Sequence, residues 1–467
     1  MSSNKTIYCQ IIEPYVNYGL EHFKKKYGFK VTDNYLNADI YIGYSIPDNC
    51  NSSIQVLLFP TVLDKICHLT VQNETIPLLK KPIKQRGDNL WGSVTDDNET
   101  YFCIQLVKNR IIFGFDIFEE IGRILAGKYD ELFLLKDEVG EKLKNIPVVD
   151  VLEKALLSMF NLILPDTNNL YHFTWPDNHK FALILTHDVD RVYKTYQYLP
   201  SIINSIKKGK LSELSYHVKN LFFKHGQLNP YWTFETIDEL EYSLGVKSSY
   251  YFLNEKGRLN PLSLQSWILF RGIYNIENSS IKNLINKLDR AGFEIGLHGS
   301  YYSFDNFELL KYEKNILEMI VNKKVSGIRQ HYLNYKISVT PNIHHKVGFD
   351  YDTTIGFKPD DGVGFRRGTC FPFRIMLPDL RISNLWEFPL IIMDGALDAK
   401  ATIEDCVQLI DQVEKYHGVL TILWHTNRFN NREYPTMINI YKEIIQIAKS
   451  KDAWNSTAHE ICSWLNK

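Results

Sequence analysis

The feature that most constrains the fold is a repeated order of helix and strand beyond residue 175. Each unit is a helical pattern followed by a short apolar run, as in 236–244 before 249–253, 280–290 before 293–297, 307–321 before 327–329, and 403–416 before 419–424. Strands separated by helices pair in parallel, because each helix carries the chain back along the sheet. The order predicts a parallel α/β sheet, and six or seven such units favour closure into a barrel.

The first 150 residues have a different pattern. Short strand-like runs surround one helical stretch at 16–27, and a hairpin is predicted between 101 and 115. Since 467 residues are too many for one ordinary core, we expect a smaller α/β domain over 1–150 and a barrel domain over 175–467. The stretch from about 192 to 230 interrupts the repeat and predicts an inserted pair of helices at the mouth of the barrel.

Composition excludes several classes of protein. The 53 Lys and Arg residues balance the 54 Asp and Glu residues, which argues against nucleic acid as the main partner. The longest apolar runs are only as long as strands, so no transmembrane segment is expected. Seven scattered cysteines without a C-x-x-C pair, together with an N-terminus that lacks a signal-peptide pattern, predict a cytoplasmic protein with reduced thiols.

One strand of the repeat ends in a cluster of acidic and imidazole side chains. The apolar run 181–185 leads into Thr186-His187-Asp188-Val189-Asp190. Alternation along an extended chain places Asp188 and Asp190 on one face and His187 on the other. Two carboxylates that lie so near each other require a cation, a shared proton or a basic neighbour. The alternative is a solvated acidic loop.

Three further strands of the repeat end in similar polar groups. His298 follows the run 293–297, Arg329 and His331 follow 327–328, and His425 follows 419–424. A single histidine of this kind is more often structural than catalytic. Because the carboxyl ends of parallel strands share one edge, where α/β folds place their active sites, three together indicate a site.

These clusters resemble the five motifs of the polysaccharide deacetylases, the NodB-homology carbohydrate esterases with a (β/α)7 barrel. The resemblance covers about residues 175–467. It implies that Asp188 is the catalytic base, that Asp190 and His298 are metal ligands, that Arg329 pairs with the base and that His425 is the general acid. Leu385-Trp-Glu-Phe-Pro389 stands roughly where the family has its fourth motif, an aromatic wall.

The sequence departs from the family at one metal-ligand position. The family has a second histidine four residues after the first, where this chain has Tyr302. Tyrosine is a poor ligand for a divalent metal such as Zn²⁺, so another residue has to supply the third ligand atom. His331 shares a face with Arg329 and is the first candidate, and His187 is the second.

The resemblance predicts a metal-dependent deacetylase that hydrolyses the N-acetyl or O-acetyl group of a carbohydrate, with a divalent metal, Zn²⁺, as cofactor and a role in surface-glycan biosynthesis. Proteins of glycan assembly are the expected partners. Two alternatives remain: a non-catalytic glycan-binding or assembly protein on the same barrel, and a hydrolase of cyclic amides or imides. A pure binding protein has no need of a base, an orienting arginine and an acid together, which favours an enzyme.

Overall fold

The computed structural model describes residues 5–61, 63–96, 99–164, 173–222, 226–257, 260 and 262–467. The chain forms two compact units. The first comprises Met1–Phe181, Gly364–Asn384 and Gln408–Val419, and the second comprises Ala182–Val363, Leu385–Val407 and Leu420–Lys467. A division into domains at 150 and 175 stays a prediction.

Strands and helices alternate through most of the described chain. The strands are β1 Thr6–Cys9, β2 Lys30–Val31, β3 Ile40–Gly43, β4 Ile54–Leu57, β5 Leu63–Val71, β6 Glu74–Lys80, β7 Leu90–Asp96, β8 Glu99–Val107, β9 Arg110–Phe113, β10 Phe181–Val189, β11 Ser248–Leu253, β12 Glu294–Gly299, β13 Gly327–Gln330, β14 Tyr351–Asp352, β15 Phe373–Met376, β16 Ile382–Glu387, β17 Leu390–Met393, β18 Val419–Leu423 and β19 Ala453–Asn455. The α-helices are α1 Pro14–Tyr27, α2 Ile117–Leu125, α3 Asp130–Phe133, α4 Glu138–Asn145, α5 Val148–Ile163, α6 Tyr198–Lys207, α7 Leu211–Asn220, α8 Phe234–Leu244, α9 Leu264–Phe270, α10 Ser279–Arg290, α11 Phe307–Val321, α12 Thr340–Val347, α13 Asp394–Ala399, α14 Ile403–Lys415, α15 Met437–Ser450 and α16 Ala458–Leu465.

The first unit contains a mixed sheet of nine strands in the order β2-β1-β3-β4-β9-β8-β7-β5-β6. The strands from β2 to β9 pair in parallel, and those from β9 to β6 pair antiparallel. The sequence indicated β1, β3, β4, β8 and β9 but not the meander of β5 to β7. Pro77 lies inside β6, which is tolerated because β6 is the edge strand of the sheet.

The second sheet is built on parallel strands and confirms the α/β class. Its order is β16-β14-β13-β12-β11-β10-β18-β17, with β15 beside β16 and β19 paired to β10. The pairs from β16 to β10 and the pair of β17 with β18 are parallel. The described strands form a curled half-barrel. In the part of the chain that the structure describes, no helix combines the length and apolarity needed to cross a bilayer.

Strand β10 lies inside the second sheet, between β11 and β18. All nine of its residues are buried, as expected for an apolar strand covered on both faces. On its outer face, Nδ1 of His187 lies 2.8 Å from the carbonyl oxygen of Trp424, and Nε2 lies 2.8 Å from Oε1 of Glu241. Glu241 also accepts hydrogen bonds from the hydroxyls of Tyr441 and Ser248. This network fixes β10 between α8 and the end of β18.

We expect Glu241→Ala to lower the free energy of unfolding by about 3 kcal/mol or more, because it leaves several buried donors without an acceptor. Urea unfolding measures this change. The control is Glu239→Ala, an exposed glutamate on the same helix, which should leave the unfolding midpoint unchanged. Equal effects of the two substitutions would show that the Glu241 network does not hold β10.

Candidate functional site

The structure brings the predicted site residues together at the carboxyl ends of four strands. Asp188 and Asp190 come from β10, His298 from β12 and His425 directly follows β18. Arg329 lies in β13, and the register pairs it with His298 on the neighbouring strand. Curling of the sheet lets Arg329 in β13 reach Asp188 in β10, with β12 and β11 between them in the sheet.

Three side chains form a compact set of potential metal ligands. Nε2 of His298 and Nδ1 of His331 lie 3.1 and 3.2 Å from Oδ1 of Asp190, and the two nitrogens are 3.0 Å apart. Metal–ligand bonds of about 2.0–2.1 Å at octahedral or tetrahedral angles separate ligand atoms by about 2.9–3.4 Å. The spacing of these three atoms therefore fits one divalent transition ion.

The hydrogen bonding of the three ligands supports the same conclusion. Nδ1 of His298 donates to the backbone carbonyl of Arg329 at 2.9 Å, so in the neutral ring Nε2 carries the lone pair that faces the other ligands. Oδ1 of Asp190 is buried and receives no hydrogen bond from any described residue. Burial alone would raise the pKa of Asp190, but the imidazoles of His331, His298 and His425 hold it well below its usual value.

Asp188 is held by a buried arginine. Nη1 of Arg329 donates to Oδ1 of Asp188 at 2.9 Å and to Oγ1 of Thr186 at 2.7 Å. The same guanidinium donates to the carbonyl and hydroxyl of Thr353, and it lies 4.9 Å from the ring centre of Tyr251. These contacts fix the guanidinium, which in turn fixes the orientation of the Asp188 carboxylate.

His425 has an acidic partner that the sequence did not reveal. Nδ1 of His425 is 2.8 Å from Oδ1 of Asp394, and its backbone N–H donates to Oδ2 at 2.7 Å. Asp394 is fully buried. Burial alone would lower the pKa of His425, but the Asp394 carboxylate outweighs it and raises that pKa to about 9. Nε2 of His425 lies 3.7 Å from Oδ2 of Asp190, so a protonated imidazole faces the ligand set.

The sequence contains a feature from which Asp394 could have been predicted as a site residue. It directly follows the apolar strand β17, just as Asp188 and Asp190 end β10. The family resemblance placed the fourth motif at residues 385–389 and so drew no attention to Asp394. Trp386 in that segment is buried and donates to Oδ1 of Asn466, and residues 385–389 do not line the pocket described below.

Two of the residues considered for the metal site lie elsewhere. His187 points to the outer face of β10 and is fully buried in the Glu241 network. Tyr302 is half exposed, and its ring packs near Phe270 and Tyr301. Neither residue lines the pocket that contains the other ligands.

The turn after β13 positions His331. Tyr332 and Leu333 have left-handed backbone angles, with φ of 58° and 51°. Two successive non-glycine residues in this region are strained and are usually found at functional sites. The turn directs His331 into the ligand set, and it places Leu333 against the buried cluster of Leu390, Met393 and Leu423.

These groups open into one cavity of about 210 Å³. Asp188, Asp190, His298, His331 and His425 supply its polar side. The remaining wall consists of Tyr332, Leu333, Lys358, Pro359, Met393 and Leu423. The volume is below the usual range for drug-sized ligands, so the cavity accommodates a small molecule or one end of a larger one.

The sequence matches no protein-family model and no curated protein. The structure is similar to solved polysaccharide deacetylases over 61–64% of the chain. A protein assigned to this class from Mycobacterium smegmatis has 16% identity and a TM-score of 0.40, with 63% of this chain and 92% of that chain covered. One from Pseudomonas aeruginosa has 14% identity and a TM-score of 0.39, with 64% and 96% covered. A CE4-family pseudoenzyme from Bacillus anthracis has 11% identity and a TM-score of 0.30, with 61% and 66% covered.

Similarities of this degree transfer neither an activity nor a substrate. The resemblance predicted from the motifs is found again among solved structures, which include a pseudoenzyme. The assignment of a function therefore depends on the side chains of this site.

We expect His331→Ala to weaken the binding of Zn²⁺ by more than the 10–100-fold typical for loss of an outer-shell partner, because it removes one of three ligands. Calorimetric titration of the metal-stripped protein measures the affinity. His187→Ala is the matched control and should leave that affinity unchanged, while it lowers the free energy of unfolding by about 1–3 kcal/mol. The reverse ranking of metal affinities would exclude His331 as a ligand.

Proposed function

We propose that the protein is a Zn²⁺-dependent deacetylase that hydrolyses an N-acetyl or O-acetyl group of a carbohydrate. The observation that carries the proposal is the ligand set of Asp190, His298 and His331 between an arginine-held carboxylate and a charged imidazole. We also propose that the half-barrel is a variant of the NodB-type (β/α)7 barrel. The cytoplasmic setting, the role in surface-glycan biosynthesis and the partners in glycan assembly are parts of the proposal that come from the sequence.

Asp188 serves as the base. When bound by the three ligands, a divalent ion supplies Lewis-acid polarisation of an acyl carbonyl. Asp188 accepts a proton from the attacking water, and Arg329 keeps the Asp188 carboxylate ionised and oriented during this transfer. Arg329 is itself fixed by Thr186 and Thr353, so the base is positioned before substrate binds.

His425 serves as the acid on the other side of the ligand set. An amide nitrogen leaves poorly unless it is protonated, so hydrolysis of an N-acetyl group needs a proton donor. Asp394 keeps the imidazole of His425 charged and holds Nδ1, which leaves Nε2 to deliver the proton to the leaving amine. Base and acid thus flank the carbonyl that is attacked.

The alternatives differ from this proposal in what they require of the site. A non-catalytic glycan-binding protein would need neither the buried Arg329–Asp188 pair nor the Asp394–His425 pair. A hydrolase of cyclic amides or imides would use the same base, acid and ion on a different ring. Assays of N-acetylated sugars beside cyclic imides separate these two enzymatic functions, and failure to hydrolyse either class favours the binding protein.

We expect Asp188→Asn to lower kcat for an N-acetylated sugar on the order of 10²–10⁴-fold, because the amide keeps the shape of the carboxylate but cannot accept a proton. Metal content should be unchanged, since Asp188 is not one of the three ligands. The control is Asp360→Asn, an exposed carboxylate near Lys358, which should retain full turnover. Undiminished turnover in Asp188→Asn would exclude its role as the base.

Asp394→Asn should move the alkaline limb of the pH–rate profile to lower pH. The Asp394 carboxylate raises the pKa of His425 to about 9, so the acid form is lost as the pH rises through that value. Removing the negative charge lowers the pKa of His425, and the rate should therefore begin to fall at a lower pH. This direction holds whether or not a cation also acts on the ring.

The control for this measurement is Asp398→Asn. Asp398 accepts a hydrogen bond from Arg428, which also lies near Asp394, but it does not contact His425. The Asp398→Asn variant should lose activity at the same alkaline pH as the unmodified protein. Equal shifts in both variants, or no shift in either, would contradict the assignment of His425 as the acid.

A further inference from the structure

The helices α6 and α7 expose many of their apolar side chains. The buried residues of α6 are Tyr198 and Ser205, and the buried residue of α7 is His217. Seven large apolar side chains of this hairpin and of the two residues after it are between 37% and 82% exposed: Leu199, Ile203, Ile206, Leu211, Val218, Leu221 and Phe222. A surface helix of a water-soluble protein normally packs its apolar face inward.

The exposed side chains form a continuous stripe on each helix. Leu199, Ile203 and Ile206 are spaced by four and three residues, which places them on one face of α6. Leu211 and Val218 are two turns apart on α7, and Leu221 and Phe222 continue that face. Exposed patches of this kind in soluble proteins mark interaction sites.

The buried face of the hairpin is polar and fixed. Nδ1 of His217 lies 3.4 Å from Nζ of Lys194, and Lys194 forms a buried ion pair with Glu433 at 2.8 Å. Arg432 donates to the backbone carbonyl of Ser212 in α7 at 3.1 Å. An inward rotation of the apolar stripes would break the contact of His217 with Lys194 and the hydrogen bond that Nζ of Lys194 donates to Oγ of Ser201 in α6. It would leave these buried polar groups without partners.

The charge of the hairpin indicates what covers the stripes. Residues 198–222 contain the lysines Lys207, Lys208, Lys210 and Lys219 and a single acidic residue, Glu213. The whole chain is nearly neutral, with a net charge of −1, so the positive charge is local to this segment. Exposed apolar stripes flanked by lysines are typical of helices that lie in the headgroup region of anionic membranes.

We propose that the hairpin of α6 and α7 docks on the surface of an anionic lipid bilayer. Its apolar stripes enter the boundary between headgroups and acyl chains, and its lysines contact lipid phosphates. The docking is independent of the proposed deacetylase activity and can be measured without substrate.

Sedimentation of the full-length protein with vesicles tests the docking. We expect binding to phosphatidylcholine vesicles that contain phosphatidylglycerol, weaker binding to phosphatidylcholine alone, and release by added salt. Replacing Lys207, Lys208 and Lys219 together by glutamine should weaken binding to the anionic vesicles by about 100-fold. The double variant Ile203→Ser, Ile206→Ser should weaken it by about tenfold or more.

Matched controls are Tyr242→Ser and Met319→Ser, which remove exposed apolar side chains from α8 and α11. Both controls should bind vesicles like the unmodified protein. The docking is overturned if the protein does not sediment with anionic vesicles, or if the lysine and isoleucine variants bind them as well as the controls. It is also overturned if sedimentation velocity shows a dimer that the isoleucine variant dissolves while vesicle binding is unchanged.

Discussion

The arrangement of the site depends on one buried guanidinium. Arg329 is fully buried, and an unpaired charge at such a position would strongly destabilise the fold. Its side chain is satisfied by Thr186, Asp188 and Thr353, while its backbone carbonyl accepts the hydrogen bond that orients His298. A single residue of β13 therefore sets the position of the proposed base and of one candidate metal ligand, and it requires a curled sheet that brings β13 opposite β10.

Alternation along strands predicted most of this site from the sequence. It placed Asp188 and Asp190 on the inner face and His187 on the outer face, and it favoured His331 as the ligand that replaces the position held by Tyr302. The structure puts the two carboxylates and His187 on these faces. His331 also enters the ligand set, but it lies beyond the end of β13 and is directed there by the turn at Tyr332 and Leu333. The rule holds for β10 because that strand is buried on both faces, so a shift of one residue would bury a charge on the wrong side.

Other features depend on contacts that no local pattern records. Asp394 and His425 are far apart in sequence and meet only because β17 and β18 are neighbours in the sheet. Within the meander of β5 to β7, Pro77 weakens the strand pattern of β6, but an edge strand tolerates it. The exposed stripes of α6 and α7 have the spacing of ordinary core-facing helices, so only the structure reveals that this face is turned outward.

The left-handed turn at Tyr332 and Leu333 limits which substitutions can reshape this cavity. Tyr332 and Leu333 form part of the cavity wall, and the turn that they make also directs His331. A substitution in this turn that changes the shape of the cavity would therefore also displace a candidate metal ligand. Lys358 and Pro359 line the same cavity from a segment that carries no ligand. A change of side chain at 358–359 can therefore alter the shape of the cavity and leave the three candidate ligands in place, whereas a change in the 331–333 turn would alter both.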